Sequence, residues 1–272
     1  MKPAPFDYIR VDSVDEAVEL LGEYGDDARI IAGGQSLMPM LNMRLARPEV
    51  LIDIARVPEL AGIKSDANAV TIGAVTTQGA LEEWDGLATM LPIVAQALPN
   101  IGHFQTRNRG TVCGSLCHAD PSSELPLCLA LLGGEVELCS KRDTRRLAAD
   151  DFQIGVLTTA KEPDEMATCA IFPKAAEDAS YAFAEFHRRH GDFAIVAVAA
   201  MRSGNTVRLA VGGVADRPEV REWQGLENNV IDDALNDFAW DMGGSDDIHA
   251  TARFRRELVR HMGRQLIEET AQ

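Results

Sequence analysis

Apolar residues recur along this chain with two periods, and the switches between them mark the elements. Ser13 and Glu16 form a capping pair, and Ala17, Leu20, Leu21 and Tyr24 then fall at i, i+3, i+4 and i+7 before Gly25, which predicts an amphipathic helix. Short apolar runs at Arg29 to Ala32 and Val50 to Ile54 predict strands, so the first 55 residues read as a small β-α-β-β unit. Ala69 to Ala74, Glu135 to Cys139 and Ala167 to Phe172 read as further strands, with a helical stretch near Leu87 to Leu98. Pro99 to Gly110 has no apolar period, and a loop of that length in a compact domain is more often functional than idle. The pattern lapses again at Lys174 to Ser180, which reads as a linker. Beyond it Tyr181 to His187, Phe193 to Met201 and Thr206 to Gly212 predict an antiparallel meander of three strands, with R-S-G-N at 202–205 turning the last pair. A long helix follows from about His249 to Glu268, with Thr251, Phe254, Leu258, Met262 and Leu266 on the stripe facing the meander.

The fold class is therefore α+β in two parts. A first domain, residues 1–175, divides into subdomains at about 1–55 and 56–175; a smaller one, 176–272, carries a three-stranded antiparallel sheet and helices. At 272 residues the chain buries enough surface for a core without disulfides. The formal charge of −16 argues against nucleic acid, which needs a basic surface to displace counterions. No apolar run approaches the ~20 residues of a membrane span, and the first ten residues hold none of signal-peptide length, so the expectation is a cytoplasmic protein. The five cysteines, an odd number with no C-x-x-C pair, read as reduced thiols; the chain holds no expected metal site, and any iron belongs to another chain.

Chemistry concentrates in two segments. In I-A-G-G-Q-S-L-M-P, residues 31–39, Gly33 and Gly34 follow a short strand and can take positive φ, so backbone N–H groups can close on a phosphate, with Gln35 and Ser36 adding side-chain donors. A plain tight turn is the competing explanation. Some 75 residues later comes N-R-G-T-V-C-G-S-L-C-H-A-D-P-S-S-E-L-P, residues 108–126, a second small-residue loop able to clamp the same diphosphate. No nucleophile with an adjacent base, no G-K-[ST] P-loop, no G-x-G-x-x-G and no H-E-x-x-H occurs, so no side chain is assigned as catalytic.

Seven motifs in order carry a resemblance: A-G-G-Q-S-L-M-P at 32–39, L-I-D-I at 51–54, I-G-A-V-T-T at 72–77, R-N-R-G-T at 107–111, H-A-D-P at 118–121, R-R-H-G-D-F-A at 188–194 and V-G-G-V-A at 211–215. Together they resemble the FAD-binding medium subunit of molybdenum-containing hydroxylases, the family of carbon monoxide dehydrogenase and xanthine dehydrogenase. The resemblance implies a two-part FAD-binding domain of PCMH type. It implies that Ala32, Gly33, Gly34, Gln35, Ser36 and Leu37 hold the pyrophosphate, joined by Thr111, Cys113, Gly114 and Ser115, where the family commonly has T-x-G-G-N. It places His118, Asp120 and Glu124 against the cofactor, with Glu124 where the family usually carries an Asp that accepts from ribose hydroxyls. Ile101, Leu125 and apolar residues around Met166 would frame the isoalloxazine ring. FAD is expected to be non-covalent despite His118, and Arg188, Arg189 and Asp192 either pair with each other or meet the flavin edge.

The function so implied is electron transfer. Substrate is hydroxylated at a molybdenum cofactor on a large partner subunit, electrons cross two [2Fe–2S] clusters on a small one, and FAD on this chain passes them to an external acceptor; the expected assembly is a dimer of heterotrimers. A self-contained flavin oxidase or reductase, and a non-catalytic assembly protein of the same fold, are the alternatives.

Overall fold

The computed structural model describes residues 2–271. The N-terminal unit contains β1 (Asp7–Arg10), α1 (Val14–Tyr24), β2 (Ala28–Ile31), α2 (Leu37–Asn42) and β3 (Val50–Asp53), its strands parallel in the order β1-β3-β2. The Ser13 hydroxyl accepts from the Glu16 N–H at the start of α1 as the capping pair requires, and Gly25 ends the helix at φ 51°. Every residue of β3 is buried, because it is the central strand and is covered on both faces.

The middle unit comprises β4 (Ile63–Ser65), β5 (Ala69–Gly73), α3 (Gln78–Glu82), α4 (Leu87–Met90), α5 (Pro92–Ala97), α6 (Phe104–Arg107), α7 (Val112–His118), α8 (Glu124–Leu132), β6 (Glu135–Cys139), β7 (Thr144–Ala148), α9 (Ala149–Phe152), β8 (Gln153–Gly155), β9 (Thr158–Thr159) and β10 (Met166–Pro173). Its sheet is antiparallel in the order β4-β5-β10-β6-β7. Pro92 divides the helical stretch expected over 87–98 into α4 and α5. The segment expected to be without structure at 99–110 contains the single turn α6, tied down where Arg107 forms a bidentate pair with Glu82 at 2.8 and 3.1 Å and donates to the Ile101 carbonyl at 3.2 Å.

The C-terminal unit holds β11 (Ala179–Phe186), β12 (Val196–Ser203), β13 (Thr206–Gly212), β14 (Glu219–Gln224), α10 (Ile231–Asp241) and α11 (Ala252–Glu269). The sheet has four strands in sequence order, one more than the three expected: β14 pairs with β13 from Thr206 opposite Gln224 to Val211 opposite Glu219. As an edge strand, E-V-R-E-W-Q is charged and short of apolar residues, a usual guard against pairing with other chains. The long helix is present, but its buried face is Arg255, Val259, Met262, Gly263, Leu266 and Ile267. Of the expected stripe, Met262 and Leu266 are buried, whereas Phe254 is 42 % exposed and Thr251 caps the helix. The face is rotated because Arg255, a residue the pattern counts as polar, is buried and donates to the Ile195 and Gly213 carbonyls at 2.5 and 2.6 Å.

The two domains meet across α8. All nine of its residues are buried, which a helix achieves only when other elements cover it all round. On one side it packs with the middle unit; on the other it lies against β12 and β13, whose facing residues Ala197, Ala199, Ala210 and Gly212 are small enough for close approach. The opposite face of that sheet, with Val196, Val198, Leu209 and Val211, packs with Leu235, Phe238, Val259 and Leu266 of α10 and α11. Among the described residues no helix is long and apolar enough to cross a membrane.

Candidate cofactor site

The turn at Gly33 and Gly34 is built for approach. Gly34 sits at φ 70°, in the left-handed region that other residues avoid. A Cβ on Gly33 would lie 2.1 Å from the Arg109 carbonyl oxygen, so the first loop rests directly on the second. The glycine pair therefore brings the loops into contact as well as turning the chain. Among the described residues, the N–H groups of Gly33 through Leu37 donate to no backbone carbonyl; the first such bond after the turn runs from Met38 to Gly34 at 3.0 Å. Five successive free donors in a concave turn are what an anion needs. Gln35 turns its amide back onto the Gly33 carbonyl at 3.1 Å, so its side chain braces the turn.

This turn forms one wall of a cleft of about 470 Å³, lined by Tyr8, Ala32, Gly33, Gly34, Gln35, Asn42, Asp53 and Arg109 among others. Tyr8, Asp53 and Arg109 line this cleft but had no assigned role in the sequence, although Asp53 and Arg109 stand inside two of the motifs. Asp53 is fixed by the Tyr8 hydroxyl and by the Ala55 N–H at 2.9 Å, and it presents a carboxylate across the cleft from the Arg109 side.

Thr111 caps α7, its hydroxyl accepting from the Gly114 N–H at 3.0 Å. The Cys113 side chain is buried and directed at the Ile72 carbonyl, 3.7 Å away, and burial pushes its thiol well above the ordinary range. Its N–H donates to no backbone carbonyl among the described residues, while its sulfur is turned into the core. Ile101, Leu125 and Met166 are 9 %, 0 % and 1 % exposed, with all three side chains packed in the core.

His118, Asp120 and Glu124 line no part of that first cleft. His118 ends α7, the chain turns through Ala119 at φ 51°, and Asp120 and Glu124 follow in the loop and at the start of α8. Asp120 accepts from the Ser122 N–H at 2.9 Å, and burial lowers the His118 pKa. The C-terminal domain closes on this region: Gly213 donates to the Pro121 carbonyl at 2.8 Å, and a Cβ on Gly191 would lie 2.7 Å from the Gly102 carbonyl. Arg189 pairs with Asp192 at 3.1 Å, whereas Arg188 donates to the Ile248 carbonyl at 3.2 Å.

Glu124 is 7 % exposed at the start of α8. Burial, followed by the charge of Glu185, raises its pKa to about 8.

Residues 4–175 match the family described as FAD binding domain in molybdopterin dehydrogenase, and residues 181–270 match the CO dehydrogenase flavoprotein C-terminal domain. The chain belongs to this family: it is an FAD-binding medium subunit of the molybdenum hydroxylases. It is 37 % identical over 275 residues to the 6-hydroxypseudooxynicotine dehydrogenase complex subunit alpha of Paenarthrobacter nicotinovorans, covering 96 % of this chain and 93 % of that one. It is 35 % identical over 280 residues to the carbon monoxide dehydrogenase medium chain of Afipia carboxidovorans, covering 98 % and 97 %. The solved carbon monoxide dehydrogenase of Hydrogenophaga pseudoflava superposes with a TM-score of 0.94 at 30 % identity over 99 % of this chain and 98 % of that one. The free N–H run and the glycine contact fit what this family binds. Among the described residues no three His, Cys, Asp or Glu side chains gather as a metal site, and all five cysteines are free thiols.

Proposed function

We propose that this subunit receives electrons from [2Fe–2S] clusters on a small partner subunit, fed by a molybdenum site on a large one, and delivers them to an external acceptor. The observation that carries the reading is the run of free N–H groups at Gly33 to Leu37, pressed against Arg109. In this reading that run and the Cys113 N–H hold the pyrophosphate of a non-covalently bound FAD, with Ser36, Gly114 and Ser115 flanking it and Arg109 supplying positive charge. Thr111 holds the second loop in shape. His118, Asp120 and Glu124 serve the part of the cofactor nearer the C-terminal domain. Bound FAD supplies the ability to accept electrons singly and release them in pairs, which no side chain of this protein has. The chain's own residues bind and orient it and set the polarity around it. Residues 1–175 act as the binding domain and 176–272 as the domain that closes the flavin end, in a cytoplasmic dimer of heterotrimers.

The test is to titrate the purified chain with FAD and then precipitate it with acid. Yellow protein that releases its flavin into the supernatant is the expected result. A chain that takes up no FAD, alone or with its partners, overturns the reading.

A further inference from the structure

One exposed part of the N-terminal unit has no place in the cofactor site. Residues 28–48 contain Arg29, Arg44 and Arg47 and no acid, although the chain as a whole carries 42 acids against 26 lysines and arginines. Within this stretch α2 returns the chain from the glycine turn to the N-terminal end of the parallel sheet, where Glu49 donates its N–H to the Asp27 carbonyl at 2.8 Å. In the turn between α2 and β3, Met43 and Leu45 stand 51 % and 71 % exposed. That turn is not slack. The Met43 N–H donates to the Pro39 carbonyl and the Leu45 N–H to the Met40 carbonyl, both at 2.9 Å. Arg44 Nε reaches the Lys2 carbonyl at 3.2 Å, and Arg47 Nε the Arg44 carbonyl at 3.1 Å. Arg44 also sits at φ 59°, a left-handed conformation that is costly for a residue with a Cβ. Strain of this kind persists where surrounding bonds hold it, and it gathers at positions with a task.

Arg44 and Arg47 are exposed and pair with no acid among the described residues. Two apolar side chains held outward beside arginines without counter-ions have the composition of a protein interface, which is apolar at its centre and enriched in Met and Arg. No residue from 43 to 47 lines the cofactor cleft. Charge selects the occupant. A second copy meeting this face across a two-fold axis would set the arginines against themselves, and three arginines on a chain of net charge −16 are too few for nucleic acid. A protein surface with an apolar socket rimmed by Asp and Glu fits. We propose that the turn at 43–47 docks another subunit of the molybdenum hydroxylase through such a surface. The proposal rests on the multi-subunit reading and adds the place of contact: Leu45 enters the socket, and Arg44 and Arg47 meet the acidic rim.

The experiment titrates the full chain with its large and small partner subunits and follows assembly by native mass spectrometry and sedimentation, at low and at high salt. Leu45→Asp should weaken association by about tenfold or more. Arg47→Glu should weaken it too and flatten its salt dependence, because a rim charge acts through screened attraction. Both variants should keep the wild-type Tm and FAD uptake of the isolated chain, which separates a lost contact from a misfolded protein. Complexes of both variants that form with wild-type affinity and salt dependence overturn the proposal and leave the electron-transfer reading intact. A wild-type chain that self-associates, with Leu45→Asp monomeric, overturns it in favour of a second copy. A wild-type chain that joins neither partner subunit removes the multi-subunit reading along with it.

Discussion

Replacing Gly33 by alanine tests the geometry on which the cofactor site depends. The new methyl carbon would lie 2.1 Å from the Arg109 carbonyl oxygen and 2.8 Å from the Gly110 Cα, whereas ordinary contact begins near 3.4 Å. Both obstacles are backbone, so no side-chain rotation relieves the clash, and the two loops must part by about 1.3 Å at that point. Overpacking of this kind costs about 1–3 kcal/mol. The separation also pulls the free N–H groups at 33–37 away from Arg109, so the same strain reappears as lost affinity. We expect FAD binding to weaken by about 10- to 100-fold, equivalent to roughly 1.4–2.8 kcal/mol. The assay is a fluorescence titration of FAD into the purified variant, with Tm measured beside it to show that the chain is folded. Gly22→Ala is the control. It lies inside α1 with nothing within 4 Å of the added carbon, and should stabilise the helix by about 0.8–1 kcal/mol without touching affinity. A Gly33→Ala protein that binds FAD as tightly as wild type would refute the claim that contact between these loops builds the site.

Thr111→Ala removes the hydroxyl that accepts from Gly114 at 3.0 Å; stability should drop by about 1 kcal/mol and FAD affinity with it, and unchanged denaturant midpoints would contradict the capping role. Ala119→Gly relieves a left-handed residue at φ 51°, partly offset by greater freedom in the unfolded chain, and should raise Tm by about 1–4 °C; a lower Tm would show that this strain is not resident there. The Glu124 carboxyl titrates near 4.5 ordinarily and at about 8 here, so the folded state holds a proton that the unfolded chain has released across that window. Its contribution is fully favourable below the lower value and declines up to the upper one, by at most about 1.4 kcal/mol per pH unit. Urea melts of the apo chain from pH 4 to pH 9 should therefore show a decline that is flatter in Glu124→Gln, and parallel curves would rule out a buried neutral acid.

The glycine turn at 33–34 was legible because it depends on local features: a short apolar run, two glycines, then donors. The capping pair at Ser13, the strand Glu135–Cys139 and a turn within one residue of the expected 202–205 were legible for the same reason, since each is set by residues a few positions apart. Edge strand β14 escaped notice because its alternation is diluted by charge. The true face of α11 was hidden by Arg255, whose guanidinium is held by the carbonyls of Ile195, just before β12, and Gly213, just after β13, both far away in sequence.

What the sequence determined by itself was therefore the kind of protein, the places where its chain turns, and the residues that could meet an anion. The tertiary structure decided which way those residues face. It sent the sulfur of Cys113 to the core and left its N–H free of backbone partners, and it buried Ile101 and Leu125. It also drew Tyr8, Asp53 and Arg109 around one cleft, and it buried Glu124 at the start of α8. The reason is physical. Propensity, capping and turn geometry act over a few residues, whereas direction, burial and the company a charge keeps are settled by segments that meet only when the two domains close on α8.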